Sequence, residues 1–575
     1  MAKIRTIEIA NFRSIQYLKW RPSPGVNCLI GPGDSGKSTI LDAIEFCLSP
    51  RRNLSVGDTD FFNLDVGQAI SVTLTLGDLP DALLNLETMA DFLRGFDQAT
   101  GEVEDEPRRD YETVLTLRLT VQADLDPIWR LYSDRNQSDE IARSLGYKVR
   151  SSLATARLGQ YAGFNLSWSR GSLLNRLSDE RVEVGAELAA AARQARLAFG
   201  EGANQQLAGT LQTVTETARR LGVDLGGDAK ALLDAHSVSF DGGTIALHNE
   251  AGIPLRSLGT GSARLLVGGL QRAAAQAASI LLVDEVEHGL EPHRLTRLLL
   301  ELGAKLVDAP IQVFLTTHSP VALRELSCAQ LHIVRPSNGS HDVRWANLAD
   351  VQGTIRTDPQ AFLAKRVIVC EGASEVGLIR GLDRYRMNSG EMSLLALAVA
   401  YVDSGGGDPD RAFNRARALQ QLGYEALVIV DQDQIPTPAL VREFEQAGGT
   451  VVQWRAGRCL EHELFLCLPA GGVTQLLNRA KELVGSAEAA EHIKSKSNGK
   501  LTLEQVVAEG AAGEYSQATR ECLGAAATTK NSSWFKTVSR MEDVAHDIVS
   551  PHLDSSEPGF KTLVETVFEW AKSGA

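Results

Sequence analysis

Apolar and polar positions alternate from the first residues. Ile4, Ile7 and Ile9 in KIRTIEIANFRSI follow the pattern of a half-buried strand. GVNCLI predicts a second strand, which runs into GPGDSGKST and then into the amphipathic helical pattern ILDAIEFCLS. AISVTLTL and TVLTLRLTV predict further strands, separated by turn-rich and acidic segments. From Asp179 to Gly222 the chain is rich in Ala, Glu, Gln and Arg, which predicts a helical insertion without the heptad array of a long coiled coil. Strands are predicted again at SVSF, TIALHN, ASILLVDE and IQVFLTTHS. After LHIVRP the pattern starts afresh with RVIVCEG, LLALAVAYVDSGGG and EALVIVDQDQ. Strands alternating with helices predict an α/β protein.

At 575 residues the chain is too long for one core, and about three or four domains are expected. No apolar stretch is long enough to span a bilayer, and no basic start leads into an apolar run, so the expectation is a cytoplasmic protein with no membrane partner. Seven scattered cysteines without a CxxC pair argue against a disulfide framework or structural zinc and are expected to be small buried hydrophobes. A net charge of −14 does not suggest bulk electrostatic coating of DNA. Nor does it exclude nucleic acid, because a carboxylate site for divalent metals adds negative charge while binding phosphates through those metals.

Gly31 to Thr39 fit G-x-x-x-x-G-K-[ST]. Gly31, Gly33, Asp34, Ser35 and Gly36 form the loop whose backbone N–H groups can close around phosphates. Lys37 can reach the β- and γ-phosphates, Ser38 can ligate Mg²⁺, and Thr39 follows at the helix start. ILLVDE places Asp284 at the end of an apolar strand, where it can hold the Mg²⁺ shell, and Glu285 beside it as base for the attacking water. FLTTHSP places His318 at the next strand end, as a γ-phosphate sensor. This order resembles the ATP-binding-cassette ATPase heads, and more narrowly the DNA-repair and chromosome-structuring branch, whose members also carry an NFR like Asn11 to Arg13. The resemblance implies an ATP site completed by a second subunit. SLGTGSARLL would be the signature loop, with Gly259, Gly261 and Ser262 meeting ATP, although it departs from the usual LSGGQ. GLEP, from Gly289 to Pro292, is similar to the D-loop at the dimer seam.

The second set of motifs is acidic. Val367 to Val369 lead to Glu371, with Glu375 four residues on, and Leu427 to Val430 lead to Asp431, with Asp433 two residues on. Ligands gather at the carboxyl ends of parallel strands, and these hard oxygen donors suit Mg²⁺ or Mn²⁺ rather than zinc. Two ions could activate a water and stabilise the leaving oxygen of a phosphodiester. This pairing resembles the Toprim domain of topoisomerases, primases and certain nucleases. Glu375 matches the second acidic position of the nuclease members, and Glu461 in CLEHELF is the candidate that completes the metal shell. Between the acidic ends, Asp403 closes a strand before Gly405 to Gly407, which would allow close approach to a phosphate or form a simple loop. Late in the chain, TTKNSSWFKTVSR supplies Lys530 and Lys536, either of which could neutralise transition-state charge.

A cassette ATPase followed by a Toprim domain resembles the OLD (overcoming lysogenization defect) family of nucleases, most closely the class whose genes neighbour a UvrD/PcrA-like helicase. The resemblance implies an ABC-type ATPase domain with a helical insertion, then a Rossmann-like Toprim domain with a C-terminal helical region. The divisions are residues 1–140, 141–235, 236–360 and 361–575. It implies ATP and two Mg²⁺ or Mn²⁺ ions as cofactors. DNA, a second copy of the chain and a helicase are the implied partners, with a possible role in phage defence or DNA repair. The competing reading is a recombination-mediator-like ATPase whose last domain only binds DNA. A topoisomerase would also need a nucleophilic tyrosine in a DNA-binding domain, which no segment announces.

Overall fold

The computed structural model describes residues 2–50, 54–84, 89–135, 155–158, 247–250, 254–273, 280–306, 311–337, 340–348 and 351–573, with a few isolated positions between them. The expected insertion from 141 to 235 and the SVSF strand lie almost wholly outside the described residues.

Among the described residues, thirteen strands form one large sheet. In chain order they are β1 (Lys3–Phe12), β2 (Ile15–Trp20), β3 (Val26–Ile30), β4 (Ile70–Gly77), β5 (Leu93–Phe96), β6 (Val103–Glu104), β7 (Glu112–Val121), β8 (Pro127–Tyr132), β9 (Ala156–Leu158), β10 (Ile280–Val283), β11 (Gln312–Thr316), β12 (Leu331–Ser337) and β13 (Ser340–Trp345). The order β6-β5-β7-β4-β1-β2-β13-β12-β3-β11-β10-β9, with β8 on β7, joins an antiparallel wing to a parallel centre. In β1 the apolar positions Ile4, Ile7 and Ile9 are all buried although four to seven is an odd step. A register shift against β4 between Ile4 and Thr6 absorbs the extra residue and returns the later isoleucines to the same face.

In the centre, β3, β11 and β10 are parallel, with Leu315 opposite both Cys28 and Val283. This register brings the carboxyl ends of three strands to one edge. Four helices pack around it: α1 (Lys37–Cys47), α2 (Thr260–Ala273), α3 (Pro292–Glu301) and α4 (Pro320–Glu325).

The connector helix α5 (Val351–Thr357) leads to a separate four-stranded parallel sheet. Its strands are β14 (Arg366–Cys370), β15 (Val399–Asp403), β16 (Glu425–Val430) and β17 (Thr450–Gln453), in the order β15-β14-β16-β17. Helices α6 (Ala373–Asn388), α7 (Pro409–Gln421) and α8 (Pro438–Gln446) link them, as parallel strands require. The apolar run LLALAVAYVD is only partly strand. Leu394 to Leu397 turn, and β15 begins at Val399 after Ala398 at φ 54°. The remainder is helical: α9 (Leu460–Cys467), α10 (Ala470–Val484), α11 (Ser486–Lys496), α12 (Leu503–Ala511), α13 (Gln517–Ala527), α14 (Val538–Val544) and α15 (Pro558–Lys572).

One apolar core runs from Val26, Val283 and Leu315 of the large sheet through Phe362 to Val367, Val428 and Phe444 of the small one. A second core covers the other face of the small sheet and is built from Ile368, Leu427 and the C-terminal helices, including Trp534 and Phe535. Within it, α6 lies against α14 at two glycines. A Cβ at Gly377 would meet the Val538 carbonyl at 2.6 Å, and one at Gly381 would meet the Glu542 carbonyl at 2.2 Å.

Candidate functional site

Two sets of strand ends carry polar side chains. At the first, Gly31 has φ 147° and Gly36 φ 84°, conformations that favour glycine and let the loop wrap inward before α1. Asp34 holds φ 58° between them, while Gly33 has open space around it. The buried Lys37 ammonium donates to the carbonyls of Gly31 at 3.1 Å and Pro32 at 2.7 Å, and to Ser35 Oγ at 3.2 Å. Burial lowers its pKa, opposed by the charges of Asp34 and Asp284. Ser38 Oγ donates to Asp284 Oδ1 at 3.0 Å, so the two expected Mg²⁺ ligands already share a hydrogen bond. The Thr39 hydroxyl is 3.3 Å from that of Ser14, in the turn between β1 and β2.

Asp284 also accepts from Thr316 Oγ1 at 2.7 Å and pairs with Arg157 at 3.3 Å. Arg157 further binds Asp42 and Glu45 of α1, which ties β9 to the helix after the phosphate loop. Glu285 has φ 45°, an uncommon backbone conformation for its type, with its N–H held by Thr316 Oγ1 at 2.8 Å and its side chain half exposed. The fully buried Arg264 of α2 donates to the carbonyls of Asp284, Glu285 and His288. The backbone N–H of His318 donates to Glu287 at 2.7 Å, and Thr317 Oγ1 binds the other oxygen of the same carboxylate.

Gly259 and Gly261 flank the start of α2, and Ser262 Oγ accepts from Arg294 at 2.7 Å. A Cβ at Gly261 would lie 2.4 Å from the Gly289 carbonyl, so the signature-like turn packs directly on the GLEP turn of its own chain. Sequence reasoning did not find Arg157, Arg264 or Glu287. Their roles depend on contacts between distant segments, and no local motif marks them.

At the second set of strand ends, Cys370 pairs with Ile429 in the parallel ladder and with Asp403 on the other side. Glu371 follows Cys370 directly and Asp431 comes two residues after Ile429, so both emerge at the same edge, and Asp431 N–H donates to Glu371 Oε2 at 3.0 Å. Carboxylate oxygens of Glu371, Asp431 and Asp433 all lie within 4.8 Å of one another. Glu375, buried in the first turn of α6, accepts from Gly372 N–H at 2.9 Å. Glu461, buried at the start of α9, accepts from Ser374 Oγ at 2.9 Å. Burial raises the pKa of Glu371 and pushes that of Glu375 well above the carboxylate range. Burial, then the charges of Glu371, Glu461 and Asp433, bring Asp431 to about 8.

The glycine run after β15 closes one side, with φ of 87°, 72° and 89° at Gly405, Gly406 and Gly407. Gly406 N–H donates to the Glu371 carbonyl at 2.8 Å, while Gly405 N–H goes to Asp403 at 2.8 Å. The run thus positions Glu371 through its backbone. The buried Trp534 and Phe535 hold the segment after α13, and the ammonium of Lys536 acts on this acidic group. Burial would lower the Lys536 pKa, but the charges of Glu461, Asp431 and Glu375 leave it raised. Glu371 feels the charge of Lys536, which is exposed, as is Lys530 on the turn after α13. Glu463, fully buried, is bound by Arg455 at 2.7 Å and Arg458 at 3.4 Å, which fixes the loop before α9.

Converging hard oxygen donors whose charged forms are penalised by burial fit a divalent cation, which would restore the charge balance. Ser38 and Asp284 likewise fit the Mg²⁺ that accompanies a nucleotide.

The phosphate loop, the strand ending in Asp284–Glu285 and the His318 strand, on one parallel sheet with an antiparallel wing, define a P-loop ATPase head. Residues 26–324, just over half of the chain, match the family described as "AAA domain, putative AbiEii toxin, Type IV TA system", and the chain belongs to that family. Over 55 residues the chain is 46% identical to DNA replication and repair protein RecF of Porphyromonas gingivalis, covering 10% of this chain and 15% of that one. Over 44 residues it is 43% identical to RecF of Pseudoalteromonas atlantica, covering 8% and 12%. The chain thus spans only 15% of the length of the first of these curated relatives. Among solved structures it is similar to the Smc head bound to the C-terminal winged-helix domain of ScpA, at 16% identity, 59% and 97% coverage and TM-score 0.32. It is likewise similar to the SMC head domain from Thermotoga maritima, at 15% identity, 60% and 100% coverage and TM-score 0.29. Among the described residues, no helix is long and apolar enough to cross a membrane.

Proposed function

We propose that the chain is an ATP-regulated, divalent-metal-dependent DNA endonuclease of the OLD type, in which the ATPase head governs a Toprim-like site on the small sheet. The observation that carries the reading is the convergence of Glu371, Asp431 and Asp433 at adjacent parallel strand ends. A nucleotide-binding head alone has no use for that convergence. Glu371, Asp431 and Asp433 would hold the metal, with Glu375 and Glu461 behind them. When bound, Mg²⁺ or Mn²⁺ supplies an activated water and stabilises the leaving oxygen. Lys536 faces the same acidic group and neutralises charge that builds on the phosphate during cleavage. In the head, Lys37 binds the β- and γ-phosphates and Glu285 orients the attacking water. Gly259, Gly261 and Ser262 would serve the nucleotide of a second copy, which makes the working unit a homodimer or larger. Phage defence or DNA repair, with a helicase as partner, is the biological setting that the OLD resemblance suggests.

The test is nicking of supercoiled plasmid by the purified chain with Mg²⁺ or Mn²⁺, with and without ATP. Nicking is expected from the wild type and not from Glu371→Ala or Asp431→Ala; its persistence in either variant would remove the assignment. The RecF matches favour a second reading, a DNA-binding ATPase that does not cleave. That reading predicts ATP-dependent duplex binding with the plasmid left supercoiled.

A further inference from the structure

A cavity of about 330 Å³ lies away from both sets of strand ends, lined by Lys305, Arg324, Leu326, Ser327, Gln352 and Arg356. The chain carries a net charge of −14, yet among the described residues this lining contains three cations and no carboxylate. Two of the cationic residues are held in place by the fold. Lys305 holds φ 65°, a conformation that lysine rarely adopts, with its N–H donated to the buried Gln330 side chain at 2.9 Å. Arg324, in the last turn of α4, donates Nε to the Arg356 carbonyl at 3.2 Å. Gln352 is oriented too: its Oε1 accepts from Cys328 N–H at 2.9 Å, so its amide NH₂ remains as a donor. Among the described residues, Glu325, which pairs with Lys305 at 3.0 Å, is the one acidic side chain bound to a cation of the lining. Leu326 forms an apolar floor.

A lining of guanidinium, ammonium, amide and hydroxyl donors matches phosphoryl oxygens, which arginine recognises in bidentate fashion. We infer that this cavity is a phosphate-binding site, separate from the phosphate loop, at the junction of the ATPase head and the small sheet. Its ligand is a phosphoryl group, carried by a small phosphate ester or by the backbone of DNA.

The position gives the site a consequence. Arg324 lies in the last turn of the helix that begins after His318, and Arg356 in the last turn of the connector α5. Two residues beyond, the Asp358 carboxyl lies close enough to Asp403 to feel its charge, and Asp403 precedes the glycine run that holds Glu371. An occupied cavity would therefore brace the connector between the two machines. The inference does not depend on the nuclease reading.

The experiment uses the full chain carrying Lys37→Ala, titrated calorimetrically with pyrophosphate and, separately, with a short DNA duplex, with and without Arg324→Gln/Arg356→Gln. A loss of at least about tenfold in pyrophosphate affinity identifies a small phosphate ester as the ligand. The same loss for the duplex alone identifies the DNA backbone. Affinities unchanged within twofold for both probes would overturn the site. The single substitution Arg356→Gln, on an exposed side chain, gives the same comparison if the double variant melts early.

Discussion

The two sets of strand ends use the same architecture with opposite charge. At the phosphate loop, Asp284 is surrounded by cations and donors: Lys37 acts on it through charge, Arg157 pairs with it, and Ser38 and Thr316 donate to it. On the small sheet, Glu371, Glu375, Asp431, Asp433 and Glu461 crowd together with Lys536 as their facing cation. The first site is balanced by the protein and suits a polyanion with its own metal. The second gathers carboxyl groups whose ionisation burial opposes, and suits bare divalent cations that would favour the charged form. One fold element, the carboxyl end of a parallel strand, serves both, because each places a carboxylate there and the neighbouring side chains decide the charge balance.

Crosswise substitution should give the largest effect. Asp431→Ala removes plasmid nicking to background while leaving ATP turnover within about twofold, and Lys37→Ala or Glu285→Gln abolishes turnover. Parallel phosphate-release and nicking assays read both activities, and loss of both activities in Asp431→Ala would show that the sites are not separable. Next, Lys536→Ala should slow nicking about 100-fold, with partial recovery in Lys536→Arg, whereas Lys530→Ala should stay within about twofold of wild type. Equal losses at the two positions would break the distinction drawn between them.

The contrast also predicts opposite pH dependence. Complete burial lowers His332, on β12, from 6.5 to about 3. Its folded-state value lies below the unfolded one, so its contribution is complete above about 6.5 and is lost as pH falls toward 3. Asp431 is raised from 3.8 to about 8, chiefly by burial. Its contribution is present below its unfolded value and is lost as pH rises through about 8. Thermal midpoints in chelator should therefore fall at both ends, and His332→Asn should flatten only the acid limb and Asp431→Asn only the alkaline one. A smaller effect, confined to the small-sheet region, is expected from Gly381→Ala. Its Cβ has no room against the Glu542 carbonyl, which costs about 1–3 kcal/mol in a denaturation experiment.

Local signals carried most of what the sequence revealed. Strand ends at Asp284, Glu371 and Asp431 were legible because an apolar run terminating in a carboxylate is itself a local pattern. Gly31 and Gly36 were legible because the phosphate loop has fixed spacing. Arg157 was not, since its meaning depends on β9 pairing with β10 across more than a hundred residues. Gly377 and Gly381 read as ordinary helix positions until α14 was seen to lie against them. Leu394 to Leu397 read as strand because turns can be as apolar as strands. The two lysines near Trp534 could not be ranked until the fold set Lys536 within reach of the charges of Glu461, Asp431 and Glu375.

The central claim is that the small sheet holds divalent cations through its clustered carboxylates. Calorimetric titration of the nucleotide-free chain with Mn²⁺ tests it most directly. The account predicts saturable binding that is lost in Asp431→Asn and retained in Lys37→Ala. Binding that is the same in Asp431→Asn as in the wild type would contradict it.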